Sequence, residues 1–201
     1  TLHWMKRKAA ERNCAIAGSV AVCENGNYYN RFYFVHPDGA VQHYDKKHLF
    51  TFGGEHKRFT AGTERVVVNF RGVRILLEVC YDLRFPVWSR NLGDYDMILY
   101  VASWPTPRVD AWSALLRARA IENQCYVAGV NRMGVDPACE YSGGSAIIDP
   151  YGKTIAECPW SRESAVSADI DMEALQAFRK KFPVLDDADP FTCLLYTSPS
   201  P

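Results

Sequence analysis

The sequence predicts a single domain folded as a layered α/β sandwich. Runs rich in β-branched and aromatic residues alternate with stretches of helical periodicity along the chain. Several neighbouring strands are separated only by short turns, so hairpins interrupt a pure βαβ alternation. The 201 residues suffice for one substantial core, and neither an internal repeat nor a domain linker divides them.

The first part of the chain predicts one helix followed by five strands. Leu2, Met5 and Ala9 recur at helical spacing among charged residues, so the chain opens inside an amphipathic helix. The segment 51–63 is rich in Gly, Thr and charge, and loops of this length often have a function. The first two strands form a hairpin around the turn 24–27. The predicted strands are 14–22, 28–36, 40–46, 64–70 and 73–79.

The second part predicts three helices and four strands. Pro86 opens a short helix over 86–92, and Asp110 is placed to cap the helix 111–123. A last helix covers 172–182. The remaining strands are 96–102, 125–131, 144–148 and 154–158.

The composition narrows the class of protein. The chain has 23 basic and 23 acidic residues, and no charge pattern suited to nucleic acid or an anionic membrane surface. It contains neither an apolar run of about 20 residues nor a signal-peptide pattern. The seven cysteines and five histidines show no spacing typical of a disulfide framework or a metal site. These features predict a cytoplasmic protein acting on small molecules, without a metal.

Cys80 stands where a strand gives way to a turn and then to a helix. The apolar run 73–79 precedes it and Pro86 follows it, which places the thiol at the end of a sheet. Helix N-terminal amides near such a position favour the reactive thiolate. The alternative is a buried structural cysteine, because unpaired cysteines are often found inside proteins.

Three groups near Cys80 in the predicted fold suit nucleophilic catalysis. Lys46 ends a strand, Glu55 lies in the loop 51–63, and the backbone N–H of Tyr81 follows the cysteine directly. A thiol that attacks an amide or nitrile carbon needs a base and positive or N–H groups that hold the developing charge. The alternatives are a solvated pair of Lys46 with Lys47, and an ordinary loop charge at Glu55.

Five motifs in this order resemble those of the nitrilase superfamily of carbon–nitrogen hydrolases, and most closely its omega-amidase branch. The resemblance extends from Thr1 to about Phe191. The motifs are YDKKHLF (44–50), GE (54–55), VCYDLRFP (79–86), RARAIENQ (117–124) and GGSAIIDPYG (143–152).

The resemblance implies a four-layer α-β-β-α sandwich, usually paired into a homodimer, and catalysis by a Glu-Lys-Cys set without a cofactor. Cys80 matches the family nucleophile, Lys46 the catalytic lysine, and Glu55 the second glutamate that orients this lysine. The general-base glutamate of the family lies upstream of Thr1. The resemblance therefore implies that the first strand, the first helix and this base are missing, and that residues 1–201 have little activity.

Other residues are expected to bind substrate or support the site. Arg84 can pair with the free carboxylate of a monoamide substrate, or else anchor Asp82 or a helix end within the fold. Trp104 follows the neighbouring strand and either borders the acyl pocket, as in the enzymes that the chain resembles, or only packs. Glu122 and Arg119 are expected to form a buried polar network.

Residues 1–192 are expected to form the hydrolase domain. Residues 193–201 resemble a translated sequencing adaptor and are interpreted as a non-native tail.

The predicted function is hydrolysis of the terminal amide of small ω-amido acids, such as 2-oxoglutaramate or 2-oxosuccinamate, through a cysteinyl thioester. Alternatives are a nitrile or N-carbamoyl hydrolase of the same fold, and a non-catalytic dimerising fragment. A Cys-His hydrolase using His48 or His56 is disfavoured, because Lys46 leaves no task for a histidine. Trp88 and Trp112 are expected to place the helices 86–92 and 111–123 in the dimer interface.

Overall fold

The computed structural model describes residues 1–189. The predicted tail 193–201 therefore lies outside the described residues. Within residues 1–189, no helix is long and apolar enough to cross a membrane. The helices are α1 Leu2–Arg12, α2 Pro86–Ser89, α3 Val109–Glu122 and α4 Met172–Lys181. The strands are β1 Ile16–Glu24, β2 Asn27–Val35, β3 Val41–Asp45, β4 Val67–Phe70, β5 Val73–Val79, β6 Met97–Ala102, β7 Tyr126–Asn131, β8 Met133–Val135, β9 Glu140–Ser142, β10 Ala146–Ile148 and β11 Thr154–Glu157.

Two main sheets carry the fold. Strands β1, β2 and β3 form an antiparallel sheet, and the predicted hairpin β1–β2 is confirmed. Its turn places Asn25 at φ 52° and Gly26 at φ 79°, which suits a tight two-residue hairpin. The second sheet has the order β11-β10-β7-β6-β5-β4, with β5, β6 and β7 parallel at its centre. The carboxyl ends of β5 and β6 therefore meet at one edge of this sheet.

The side chains of β5 alternate between two cores. Leu77 packs toward the three-stranded sheet with Phe32, whereas Leu76 packs toward α3 with Trp112. Helix α1 covers the outer face of the first sheet through a third core that includes Met5. Full burial of each such apolar side chain contributes about 1.5–3 kcal/mol. The layer order is α-β-β-α, which confirms the sandwich.

Two expectations on α3 are wrong, and one hairpin was not predicted. Asp110 does not cap α3, because the helix already begins at Val109 and Asp110 lies in its first turn. Trp112 is fully buried and donates its indole N–H to the Gly144 carbonyl at 2.8 Å, so it cannot lie in a subunit interface as an exposed group. The hairpin β8–β9 was not predicted from the sequence, because its strands are only three residues long.

The helix after the cysteine is shorter than predicted. It ends at Ser89, and Arg90 has extended backbone angles. The following Asn91 is buried and donates through its amide to the carbonyls of Tyr95 and Asn123. These tertiary bonds hold residues 90–95 as a loop in which a helix was expected to continue.

Candidate active site

Cys80 occupies a sharp elbow at the carboxyl end of β5. Its φ is 49°, in the left-handed region that residues other than Gly and Asn rarely adopt, and a short 3₁₀ turn, Cys80–Arg84, follows. Such strained backbone is common at functional sites. The thiol lies 3.9 Å from the carbonyl oxygen of Ser103, which follows β6. The parallel pairing of β5 with β6 thus brings two loops together around the sulfur.

Asp82 holds the elbow in shape. This fully buried carboxylate accepts hydrogen bonds from the Val79 backbone N–H at 3.0 Å and the Tyr44 hydroxyl at 2.8 Å. It also lies 2.9 Å from the backbone nitrogen of His48 and 2.8 Å from its ring Nδ1. From the other side, Arg119 donates to the Leu83 carbonyl at 2.6 Å. The position of Cys80 is therefore fixed by bonds from two distant segments.

Lys46 and Glu55 form an ion pair in the pocket. The Lys46 ammonium lies 2.6 Å from Glu55 Oε2, and only 3% of the Lys46 side chain is exposed. Glu55 also accepts from the Phe50 backbone N–H at 2.6 Å and from the Asn30 amide at 3.1 Å. Burial opposes the charge of Glu55, but Lys46 and these donors outweigh it, so its pKa lies below the ordinary value.

Two opposing effects act on the pKa of the Cys80 thiol. Burial raises the pKa of its thiol above the ordinary value, and the positive charge of Lys46 offsets this only in part. The sequence led us to expect a thiolate at an exposed elbow. In residues 1–189 the effect of desolvation on the thiol pKa exceeds the attraction of Lys46, and the reactive thiolate stays a prediction.

The structure brings every predicted site residue into one pocket of about 890 Å³. The predicted residues that line it are Lys46, Glu55, Cys80, Tyr81, Arg84 and Trp104. Asn30, Arg108, Asn131 and Arg132 line it too, and the sequence motifs did not include them; Phe50, which ends the first motif, also lines it. Glu55 is the only carboxylate among the described residues of the lining. The chemical role of each residue stays a prediction.

Trp104 both packs and lines the pocket. It is 3% exposed, and its backbone N–H donates to the Asn131 side chain at 2.7 Å. The guanidinium of Arg84 lies 5.0 Å above the Trp104 ring centroid. Arg84 does not anchor Asp82, whose hydrogen-bond partners within residues 1–189 are the groups described above.

The histidines are not placed for catalysis with Cys80. Neither His48 nor His56 lines the pocket. His48 is bound to Asp82 and stacks on Phe85 with ring centroids 3.8 Å apart. Within residues 1–189, no group of three or more His, Cys, Asp or Glu side chains could hold a metal ion.

A buried acid, Glu78, lies beneath the elbow on β5. It is fully buried, and it accepts a hydrogen bond from the Ser89 hydroxyl at 3.0 Å. Burial, and then the negative charge of Asp82, raise its pKa to about 8, so it is protonated at neutral pH.

Arg119 and Glu122 form the predicted pair at 2.8 Å, but only Arg119 is buried and Glu122 is partly exposed.

Comparison with known proteins identifies the family. The sequence model of the carbon-nitrogen hydrolase family matches residues 1–180. The chain belongs to this family. A relative from Escherichia coli strain K12, named omega-amidase YafV, is 53% identical over 191 residues, which cover 94% of this chain and 75% of that protein. The 2-oxoglutaramate amidase of Bacillus subtilis is 41% identical over 188 residues, covering 92% of this chain and 72% of that protein.

A solved structure agrees with the fold of this carbon-nitrogen hydrolase. The CN-hydrolase superfamily protein of Xanthomonas campestris, which carries an arsenic adduct in its active site, superposes with a TM-score of 0.92 at 46% identity. The match covers 95% of this chain and 75% of that chain. The resemblance drawn from the five motifs is therefore confirmed at the level of the family and of the fold.

Proposed function

We propose that this carbon-nitrogen hydrolase cleaves the terminal amide of small ω-amido acids, such as 2-oxoglutaramate or 2-oxosuccinamate, to the acid and ammonia. The observation that carries the proposal is the pocket, in which a cysteine at a strained elbow, a buried lysine–glutamate pair and an arginine converge. The names of the Escherichia coli and Bacillus subtilis relatives support the same substrate class. The arginine, Arg84, is proposed to bind the free carboxylate, and Trp104 to border the acyl chain.

The proposed first half-reaction forms a thioester. Cys80 Sγ attacks the amide carbon, and the carbonyl electron pair moves onto oxygen, where Lys46 and the Tyr81 N–H hold the negative charge. The thiol proton passes to the amide nitrogen, the C–N bond breaks, and ammonia leaves. Glu55 keeps Lys46 in position and charged.

Because the thiol must stay reduced, we propose a cytoplasmic location, which fractionation of cells that produce the protein would check.

The second half-reaction hydrolyses the thioester and needs a base for the attacking water. Glu55 is held by Lys46 and by the Phe50 N–H, so it is poorly placed to take a proton from water. The family resemblance assigns this task to a glutamate upstream of Thr1. We therefore propose that residues 1–201 by themselves release the acid slowly, since a general base commonly contributes roughly 10²–10⁴-fold.

The test compares ammonia release by residues 1–201 with release by the same chain extended upstream with its own gene sequence. With glutaramate or 2-oxoglutaramate as substrate, the extended chain is expected to be about 10²-fold faster or more. Equal rates would place the base within residues 1–201 and contradict the assignment. Faster turnover of 4-cyanobutyrate or N-carbamoyl-β-alanine by the extended chain would reassign the enzyme to nitriles or N-carbamoyl compounds.

We also propose that the enzyme is a homodimer through the face that carries α2. Val87 on α2 and the nearby Leu92 are 54% and 69% exposed, and Ile121 on α3 is 54% exposed. Arg90, which follows α2, donates to the Glu122 carbonyl at 2.7 Å and so connects this segment to the end of α3. Exposed apolar groups are typical of an interface. Light scattering of the extended chain at micromolar concentration is expected to give the mass of two chains. A monomer mass there would reject the dimer.

A further inference from the structure

Among residues 1–189, two guanidinium groups in the pocket have no acidic partner. Arg84, Arg108 and Arg132 all line the pocket. Arg132 lies 3.4 Å from Asp136, whereas no salt bridge within residues 1–189 includes Arg84 or Arg108. The charge of Lys46 is already balanced by Glu55. The pocket thus presents two uncompensated positive charges to whatever occupies it.

Both guanidinium groups rest on aromatic rings. The Arg84 guanidinium carbon is 5.0 Å from the ring centroid of Trp104, and that of Arg108 is 5.4 Å from the ring centroid of Phe50. A guanidinium stacked in this way keeps the N–H groups at its edge available for a carboxylate.

The two arginines are also connected through the protein. The Trp104 indole N–H donates to the Arg108 carbonyl at 2.7 Å, so the ring beneath Arg84 is bound to the backbone of Arg108. Arg108 ends a short 3₁₀ turn, Thr106–Arg108, that begins directly after Pro105. Proline restricts the backbone at this point. The Arg108 backbone and the ring beneath Arg84 are therefore held by bonds within the protein, which lowers the entropic cost of binding a ligand there.

We propose that Arg108 determines specificity by binding, together with Arg84, the free carboxylate of the substrate while Cys80 attacks its amide. The inference rests on the proposed function and adds a residue that the sequence motifs did not identify. A neutral amide gains little from two cations, whereas a carboxylate accepts charge-assisted hydrogen bonds from both. Arg108 therefore contributes to the affinity for charged ligands and not to the chemistry at the amide.

The test measures equilibrium binding by ligand-observed NMR to protein that carries Cys80→Ser, in which the thioester cannot form. Glutaramate is compared with pentanamide, which has a methyl group where glutaramate has the carboxylate. Arg108→Gln is expected to raise the Kd for glutaramate about 10- to 100-fold and to leave that for pentanamide unchanged. Arg117→Gln, on the exposed side of α3 and outside this pocket, removes the same charge and is expected to change neither Kd.

Two outcomes would overturn the inference. Equal weakening of both ligands would show that Arg108 only supports the pocket wall, and an unchanged Kd for glutaramate would show that it does not bind the carboxylate. If Arg108→Gln does not fold, Arg108→Met decides, because it keeps an aliphatic stem against Phe50.

The outcome is separable from that of the proposed function. Arg108-dependent binding of glutaramate without any ammonia release by the extended chain with Cys80 intact would reject the function and keep the inference. Release from glutaramate at an unchanged kcat/KM in the Arg108→Gln variant of that chain would reject the inference and keep the function.

Discussion

Replacing Cys80 by alanine is expected to lower ammonia release from glutaramate by roughly 10⁴-fold or more, because the nucleophile that forms the thioester is removed. The measurement uses the upstream-extended chain, whose turnover is expected to be fast enough to follow over this range. Since Cys80 adopts φ 49°, its substitution leaves the backbone strain in place, and the variant is checked for native thermal unfolding.

The matched control is Cys139→Ala. Cys139 is a free, half-buried thiol like Cys80, but it does not line the pocket. It is expected to keep full activity. A loss of similar size in both variants, or retained activity in Cys80→Ala, would contradict the assignment of the nucleophile.

The second large effect is expected on stability, from Asp82→Ala. The substitution leaves the Tyr44 hydroxyl and the backbone N–H groups of Val79 and His48 without their acceptor, and it removes the partner of the His48 ring. A buried donor left without an acceptor costs about 1–3 kcal/mol, so three of them cost a large part of the 5–15 kcal/mol that typically stabilises a domain. Urea unfolding followed by tryptophan fluorescence measures the free energy of unfolding.

Asp110→Ala provides the comparison. Asp110 is exposed in the first turn of α3 and does not cap the helix. Its substitution removes only a favourable interaction with the helix dipole, so we expect the free energy of unfolding to fall by about 0.3–1 kcal/mol. If the two aspartates gave equal losses, the elbow would not depend on Asp82. A variant Asp82→Ala that unfolds below 1 M urea or fails to fold agrees with the larger expected loss.

The local part of the site could be predicted because its signals are short and contiguous. The bounds of β5 agree with the predicted strand 73–79, and Cys80 follows it at a turn as expected. Lys46 and Glu55 were placed by motifs only nine residues apart, and the ion pair between them joins neighbouring segments. Strand periodicity thus predicted the strands, and the family resemblance that the motifs carry implied the four layers and the main polar groups.

What was missed depends on contacts between distant segments. Asn30 reaches Glu55 across 25 residues, and Asp82 is bound by residues that lie 34 and 38 positions away. The desolvation that raises the pKa of the Cys80 thiol likewise depends on contacts between segments, because it is set by which loops lie over the sulfur. No sequence motif includes Arg108. Its proposed role depends on its position over the Phe50 ring and on the lack of an acidic partner within residues 1–189, and neither can be read from the sequence.

The most direct test of the central claim, that Cys80 forms the thioester, is intact-mass spectrometry of residues 1–201 incubated with glutaramate. Because water is expected to release the acyl group slowly from this chain, the account predicts a protein whose mass has increased by one glutaryl group. Peptide mapping is expected to place the group on Cys80, and hydroxylamine is expected to remove it. A glutaryl group found on another residue, or an adduct of equal amount in Cys80→Ala, would contradict the account.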